Sequence, residues 1–345
     1  MRGALFGLAA AALFGMSAPL AKLLLGRTEP QMLAALLYLG AGIGLLLVRA
    51  RGRTRSEAPL RKEDWPYAAA IAISGGVIAP VLMLHGLRQV SGVAGSLLLN
   101  LEAPFTIAVA VLFFREHLPR REAIAAAVII LGGAALTMER NASSQATLTG
   151  VLLLAGACAS WALDNNLTQK LSLKDPMELV RLKTLSAGSM NLVIAMTLGQ
   201  DLPREPIVMA ALTLGFFSYG ASILLDAYAL RDLGAAREAA YFATAPFFGV
   251  ALSVAVLRES PTLPQLIAIL IMSVGVVLLL RARHSHMHIH EALDHEHRHI
   301  HDEHHQHAHQ SVDATGEPHS HRHQHAPLTH EHAHVSDIHH RHEQS

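Results

Sequence analysis

One acidic residue, Glu102, lies near the centre of an apolar stretch that runs from residue 92 to residue 114. A charged side chain in the middle of a membrane-spanning helix costs about 2.5–3.5 kcal/mol, so such a group usually faces a cavity and pairs or titrates. We therefore expect Glu102 to bind a proton or a solute. The alternative is a neutral glutamic acid that hydrogen-bonds a neighbouring helix. Asn100, two residues earlier, is a second candidate for the same site.

A polar run ends the apolar stretch 148–170. It consists of Asp164, Asn165, Asn166, Leu167, Thr168, Gln169 and Lys170. Ser160, Asp164 and Thr168 recur every four residues, so in a helix they form one polar stripe that could line a cavity. The alternative is a helix that ends near Leu163 and leaves the run in water, although 148–163 is short for a membrane span.

Lys183, in the next apolar stretch, is the expected partner of Asp164. The turn between the two stretches should centre near Lys174, with Asp164 ten residues before it and Lys183 nine residues after it. In an antiparallel hairpin the two side chains then lie at nearly the same depth, and pairing would lower the cost of burying either charge. There are two alternatives: Arg181 could pair with Asp164 instead, or Lys183 could extend to the membrane surface.

Two prolines at matching places also mark a candidate site. Pro104 and Pro246 each remove a backbone donor and free a carbonyl inside an apolar stretch. Such breaks accompany binding sites in membrane proteins, although kinking for packing explains them equally well. Tyr241 is a further candidate for the cavity wall. Lys22 and Asp226 lie near the ends of their stretches and are expected to extend to the membrane surface.

The last 62 residues have a different composition, with 22 of the 24 histidines and many HxH repeats. Imidazole is a ligand for zinc, nickel, cobalt and copper, and it is mostly neutral near pH 7. The candidate metal ligands are His284, His286, His288, His290, His295, His297, His299, His301, His319, His321, His323 and His325. The tail has few apolar residues, so we expect it to be disordered without metal. A histidine store, a pH-responsive tether and tolerated low complexity are alternatives.

Apolar stretches long enough to cross a bilayer surround these residues, and 51% of the chain is hydrophobic. We predict ten spans, at about 3–25, 31–48, 65–87, 92–114, 121–138, 148–170, 178–199, 207–230, 237–257 and 264–281. Without two-residue alternation in these stretches, the pattern favours helices over a β-barrel. The fold class expected is an all-α integral membrane protein. The first stretch continues past a signal-peptide-like start to Leu25, so we interpret it as a retained helix.

Residues 97–138 and 239–280 are similar to each other. Pro104-Phe105 matches Pro246-Phe247, and after one inserted residue Arg115-Glu116 matches Arg258-Glu259, whereas Thr244 stands opposite Glu102. Each half has five spans, an odd number, so the second half must enter the membrane from the opposite side. Such inverted repeats are typical of transporters that open alternately to the two sides of the membrane.

The basic residues of the loops predict the orientation. They number 16 on the side of the termini and 5 on the opposite side. Positive residues are retained on the cytoplasmic side, so both termini should be cytoplasmic. We expect a multi-pass protein of the cell (inner) membrane.

The repeated Ala-Pro-Phe…Arg-Glu segment, the Gly-Ala-Leu-Phe-Gly opening and the five-plus-five arrangement resemble the EamA-type transporters of the drug/metabolite transporter superfamily. The resemblance covers about residues 3–281 and implies ten helices, cytoplasmic termini and export of small organic metabolites or toxic compounds. It divides the chain into a first repeat (1–138), an external linker (139–147), a second repeat (148–281) and a cytoplasmic tail (282–345) outside the family pattern.

The function predicted is secondary transport of a small organic solute, with the tail as a metal-binding regulator or buffer. The alternatives are efflux of divalent nickel, cobalt or zinc, and a membrane-tethered metal buffer. Without Walker or HExxH motifs, an ATP-driven pump and a zinc protease are disfavoured. We expect no enzyme activity and no required cofactor. The expected partners are the lipid bilayer, a small-molecule substrate and divalent ions at the tail, with a homodimer as an open alternative and no nucleic acid.

Overall fold

The computed structural model describes residues 2–51, 58–114, 118–137, 147–171, 174–233, 241–281, 284–290, 293–299, 319–325 and 328–334. Helices account for nearly all of the described chain before the tail. The α-helices are α1 (Arg2–Gly15), α2 (Ser17–Leu25), α3 (Pro30–Arg51), α4 (Trp65–Ile71), α5 (Ala79–Leu87), α6 (Gly92–Leu98), α7 (Glu102–Phe114), α8 (Arg120–Leu136), α9 (Leu148–Lys170), α10 (Pro176–Thr197), α11 (Glu205–Gly215), α12 (Ser222–Leu233), α13 (Ala245–Val256) and α14 (Leu263–Leu280).

Several of these helices continue into one another. Short 3₁₀ turns lead into α4 (Lys62–Asp64) and join α6 to α7 (Leu99–Leu101). Two π-helical segments, Ala72–Ile78 and Phe216–Ala221, join α4 to α5 and α11 to α12. Both lie in the third long helix of their half of the chain. A π segment shifts the backbone hydrogen bonds of a helix and is frequent at functional sites.

The helices have the lengths and composition of membrane spans. In the described chain, seven are long and apolar enough to cross a bilayer, and Ala245–Val256 is a shorter apolar helix. The described chain before the tail is therefore all-α and has the character of a membrane protein, as predicted. The count of ten spans stays a prediction: α10 carries Glu178, Arg181 and Lys183, which lower its hydropathy, and α8 has 17 residues.

The two halves interlock symmetrically. α3 packs along α10 and α8 along α14, and in both pairs the two helices hold the same position in their own half. α1 packs against α12, and the equivalent helix α9 packs against α5. Gly188 of α10 permits the close packing of α3 on α10, because a Cβ there would lie 2.7 Å from the backbone nitrogen of Leu39. These exchanged pairs are the arrangement expected of two repeats related by a pseudo-twofold axis.

In the described parts of the tail, β1 (His284–His290) pairs with β4 (Leu328–His334), and β2 (Leu293–His299) pairs with β3 (His319–His325), both antiparallel. An HxH sequence has the two-residue period of an extended strand. Disorder of the tail without metal stays a prediction. His301 lies outside the described residues, as do Arg115, Glu116 and all but the last residue of the predicted linker.

Candidate functional site

The predicted ion pair between the sixth and seventh stretches is present. Lys183 Nζ donates a hydrogen bond to Asp164 Oδ2, and both residues are buried, at 8% and 3% exposure. Thr168, one turn further along α9, donates its hydroxyl to Asp164 Oδ1 at 3.3 Å. The helix runs on to Lys170, so the alternative in which it ends near Leu163 is wrong.

Glu102 is the first residue of α7 and is only partly buried although it lies at mid-span. Its Oε1 accepts a hydrogen bond of 2.7 Å from the side-chain amide of Asn165, which is itself exposed. Asp164, Lys183 and Asp226 act on it electrostatically. A partly exposed carboxyl group at this depth indicates a polar cavity, because facing lipid would be costly.

The other predicted residues of this region have different surroundings. Asn166 is buried and donates to the carbonyl of Thr106 at 3.1 Å, so it joins α9 to α7. Asn100 is buried too, and its amide faces Met272 Sδ at 3.8 Å rather than Glu102. Pro104 is buried next to Glu102. The amides of Asn100 and Asn166 thus contact neighbouring helices, and a role of these residues in the site stays a prediction.

The second half contributes to the same region. Asp226 is half-buried and within electrostatic range of Glu102, so the expectation that it extends to the membrane surface is wrong. Tyr241 is half-buried and contacts the first helix, where a Cβ at Gly7 would lie 2.9 Å from the Tyr241 Cβ. Pro246 is buried within the first turn of α13.

The π segment Ala72–Ile78 makes room for the ion pair. Gly75 lies against Asp164, and a Cβ there would lie 2.8 Å from the Asp164 Cβ and still closer to its carboxyl group. The Gly75 carbonyl accepts hydrogen bonds from the hydroxyl of Tyr38 at 2.6 Å and from Nε1 of Trp161 at 3.1 Å. Side chains thus satisfy a carbonyl of the irregular helix, as buried polar groups require.

A second carbonyl of the same segment is bound in the same way. The Gly76 carbonyl accepts a hydrogen bond of 3.0 Å from Asn191, which in turn binds Gln31 at 2.8 Å, and the sequence did not predict either contact. Tyr38 was not singled out. Buried amides and a tyrosine inside apolar stretches were a usable signal, because such groups need partners.

An aromatic cluster adjoins the polar residues. The ring of Phe14 lies 6.0 Å from Trp161, 6.0 Å from Tyr219 and 5.2 Å from Phe242, measured between centroids. Tyr38 and Tyr219 are 5.3 Å apart. These rings come from both halves, so the site lies where the repeats meet.

Polar contacts join many loops at one end of the bundle, which we call the linker end (26–29, 88–91, 147, 198–204 and 257–262). Lys22 Nζ donates to the carbonyls of Leu87 at 2.7 Å and Val90 at 2.5 Å. Lys22, which was predicted to extend to the membrane surface, thus reaches the linker end, where backbone carbonyl groups bind its charge. Glu29 pairs with Arg88 at 2.9 Å on the exposed rim.

The opposite end, which we call the terminal end (58–64, 171 and 174–175), has its own contacts. Arg49 pairs with Asp175 at 3.3 Å, and Lys174 pairs with Asp64 at 2.9 Å. The backbone N–H of Asp175 also donates to the carbonyl of Ala58 at 3.0 Å. These bonds join the second and third helical stretches to the sixth and seventh.

Apolar helices around a partly exposed mid-span carboxyl group are the architecture of a multi-pass membrane transport protein. The model of the EamA-like transporter family matches residues 1–138 and 148–281, so the chain belongs to this family. It is 33% identical over 280 residues to an uncharacterized transporter of Methanothermobacter thermautotrophicus, covering 76% of this chain and 81% of that protein. A solved structure titled "Crystal structure of protein" has the same fold, with a TM-score of 0.62 and 18% identity over 81% of this chain and 98% of its own.

Proposed function

We propose that the chain exports a small organic metabolite or toxic compound by alternating access. The observation that carries this proposal is Glu102, a mid-span carboxyl group that is partly exposed and hydrogen-bonded by the neutral amide of Asn165. Glu102 can release Asn165 and bind a proton or a solute instead, and this exchange leaves no buried charge without a partner. The matching residue of the second repeat is Thr244, so only the first repeat contributes a carboxyl group at this position.

The charges of the site favour a neutral or positively charged solute. The charged residues that act on Glu102 are Asp164, Asp226 and Lys183, and Lys183 is already bound by Asp164. An anion placed beside Glu102 would meet acidic groups without gaining this lysine, and like charges repel strongly where water is scarce. The adjoining rings of Phe14 and Phe242 suit an organic group better than a small ion.

The proposed orientation puts the terminal end in the cytoplasm. The basic asymmetry of 16 to 5 in the loops supports it. In this orientation the linker-end contacts close the path to the outside, and the partial exposure of Glu102 and Asn165 fits a site open to the cytoplasm. Reporter fusions after Lys62 and Ala142 should report inside and outside respectively, and the reverse pattern would refute the orientation.

We propose that the tail binds divalent metal as a regulator or buffer. Efflux of nickel, cobalt or zinc is the second candidate function, and the 22 histidines of the tail favour it. A metal path through the membrane needs facing ligands within the spans. In the described residues no group of three His, Cys, Asp or Glu side chains is arranged to hold a metal ion. The organic solute is therefore the better-supported cargo.

A growth screen tests the proposal. A strain without the gene, complemented by the full chain or by Glu102→Gln, is challenged with metals, amino acids and cationic, neutral and anionic drugs. We expect the full chain to give resistance to an organic compound and Glu102→Gln to lose it, with Glu29→Gln as the exposed control. Resistance to metals alone would favour the second candidate.

A further inference from the structure

The turn 88–91, between the third and fourth helical stretches, is bound from two directions by opposite charges. Lys22 of α2 donates to the carbonyl of Leu87, the last residue of α5, and to the carbonyl of Val90 in the turn. Glu259, which follows α13, accepts from the N–H groups of Gly92 at 2.8 Å and Val93 at 2.9 Å at the start of α6. Each charge thus faces the helix end whose backbone polarity attracts it.

The two residues come from different repeats and are both half-buried. They are close enough for Glu259 to act on Lys22 electrostatically. Hydrogen bonds to charged groups stabilise more than neutral ones, and removing one partner leaves the other unsatisfied. We call this arrangement the turn clamp, consisting of Lys22, Glu259 and residues 87–93.

The backbone before Glu259 is adapted to this contact. Arg258 has a φ of 54°, the single non-glycine residue with positive φ in the described chain. A residue other than glycine in this left-handed conformation is strained, and the surrounding structure must offset the strain. The turn it makes directs the chain so that Glu259 reaches α6.

Further contacts surround the turn clamp. Gln265 of α14 donates to Ser91 Oγ at 3.1 Å, and Ser91 caps α6 by accepting from the Ala94 N–H at 3.0 Å. Deeper in the bundle a Cβ at Gly249 would lie 2.7 Å from Ser96 Oγ and 2.8 Å from the carbonyl of Gly15. The first, fourth and ninth helical stretches therefore meet tightly between the site and the linker end.

We propose that the turn clamp holds the linker end closed and must release for the site to open there. The proposal rests on the alternating access proposed above. Lys22 and Glu259 are positioning residues that act through the turn and touch no solute. Loss of either charge should favour the open state, because the helix ends they bind would be left with water or a neutral partner.

The test measures opening directly and needs no solute. In a Cys158→Ser background, Ser96→Cys places a thiol at a position that is 1% exposed in the closed structure. The full chain in lipid nanodiscs is treated with a water-soluble maleimide. The rate at which the new thiol reacts reports how often the linker end opens. We expect Lys22→Met and Glu259→Gln each to raise the rate about tenfold, the size of one charge-assisted hydrogen bond. Glu205→Gln, at an exposed residue of α11 outside the turn clamp, should leave it unchanged.

Thermal unfolding of each variant separates opening from unfolding. If a neutral variant does not fold, Lys22→Arg and Glu259→Asp keep the charge with altered reach, and we expect smaller increases from them. Folded variants that react at the rate of Glu205→Gln would overturn the turn clamp. Since the rate does not depend on what is transported, this failure is distinct from failure of the proposed solute export.

Discussion

Glu102 and Asp164 are carboxyl groups on neighbouring helices, but their surroundings differ. Asp164 is 3% exposed and accepts hydrogen bonds from Lys183 and Thr168. Glu102 is partly exposed and accepts from the neutral amide of Asn165. A buried charge that loses its partner is costly, whereas a partly exposed carboxyl group can exchange its partner. We therefore expect Asp164 to stabilise the structure and Glu102 to act on the solute or the proton.

Removing one partner of the buried pair should have the largest effect on stability. Asp164→Asn or Lys183→Met leaves the other charge uncompensated and should cost about 3–5 kcal/mol. The double variant should cost less than the sum of the two, because no lone charge remains. Unfolding of the purified proteins in detergent, followed by circular dichroism, gives these values.

The exposed pair of Glu29 and Arg88 is the control, since Glu29→Gln there should cost about 0–1 kcal/mol. Strictly additive costs for Asp164→Asn and Lys183→Met would show that the two residues are not coupled. That result would contradict the claim that Asp164 stabilises the structure through its pair with Lys183.

Gly75→Ala should have the next largest effect on stability. The added Cβ would overlap the carboxyl group of Asp164, and overpacking of this kind costs about 1–3 kcal/mol. Gly26→Ala is the matched control, because the nearest atom to its Cβ would be the Leu23 carbonyl oxygen at 3.7 Å. Equal unfolding temperatures for the two variants would mean that Asp164 does not depend on the π segment.

Truncation after Arg283 should have the smallest effect on the membrane domain, because both matched regions of the family end at or before residue 281. Metal binding by the purified protein, measured by calorimetry, should fall sharply. In the full chain it should weaken as the pH falls through about 6.5, because protonated imidazole cannot bind metal. Binding of nickel or zinc that survives truncation would instead locate a site within the membrane domain.

The sequence predicted the parts of the site that follow from local spacing. The distances of Asp164 and Lys183 from Lys174 put them at one depth, and the structure pairs them. This inference needs only a helical rise and an antiparallel turn. The hydrogen bond of Glu102 with Asn165 on α9 is the kind of contact named as the alternative to a proton or solute site, and the role of Glu102 in transport stays a prediction.

The parts that failed depend on contacts between distant segments. The partners of Lys22 were not predicted, because the carbonyls that bind it lie 65 and 68 residues further along the chain. The π segment that brings Gly75 against Asp164 is a shift of backbone hydrogen bonds, which the glycines permit but do not specify. Only the packed helices decide such contacts.

Glu102→Gln tests the central claim most directly. The substitution keeps the shape of the side chain and removes its ability to carry a charge. The variant and wild type are reconstituted in vesicles with the solute found in the growth screen, and uptake is measured over a range of pH, with Glu29→Gln alongside. The account predicts that Glu102→Gln unfolds at the wild-type temperature within a few degrees but loses at least about tenfold in transport, the size of one charged hydrogen bond. Wild-type transport by this variant at every pH would contradict it.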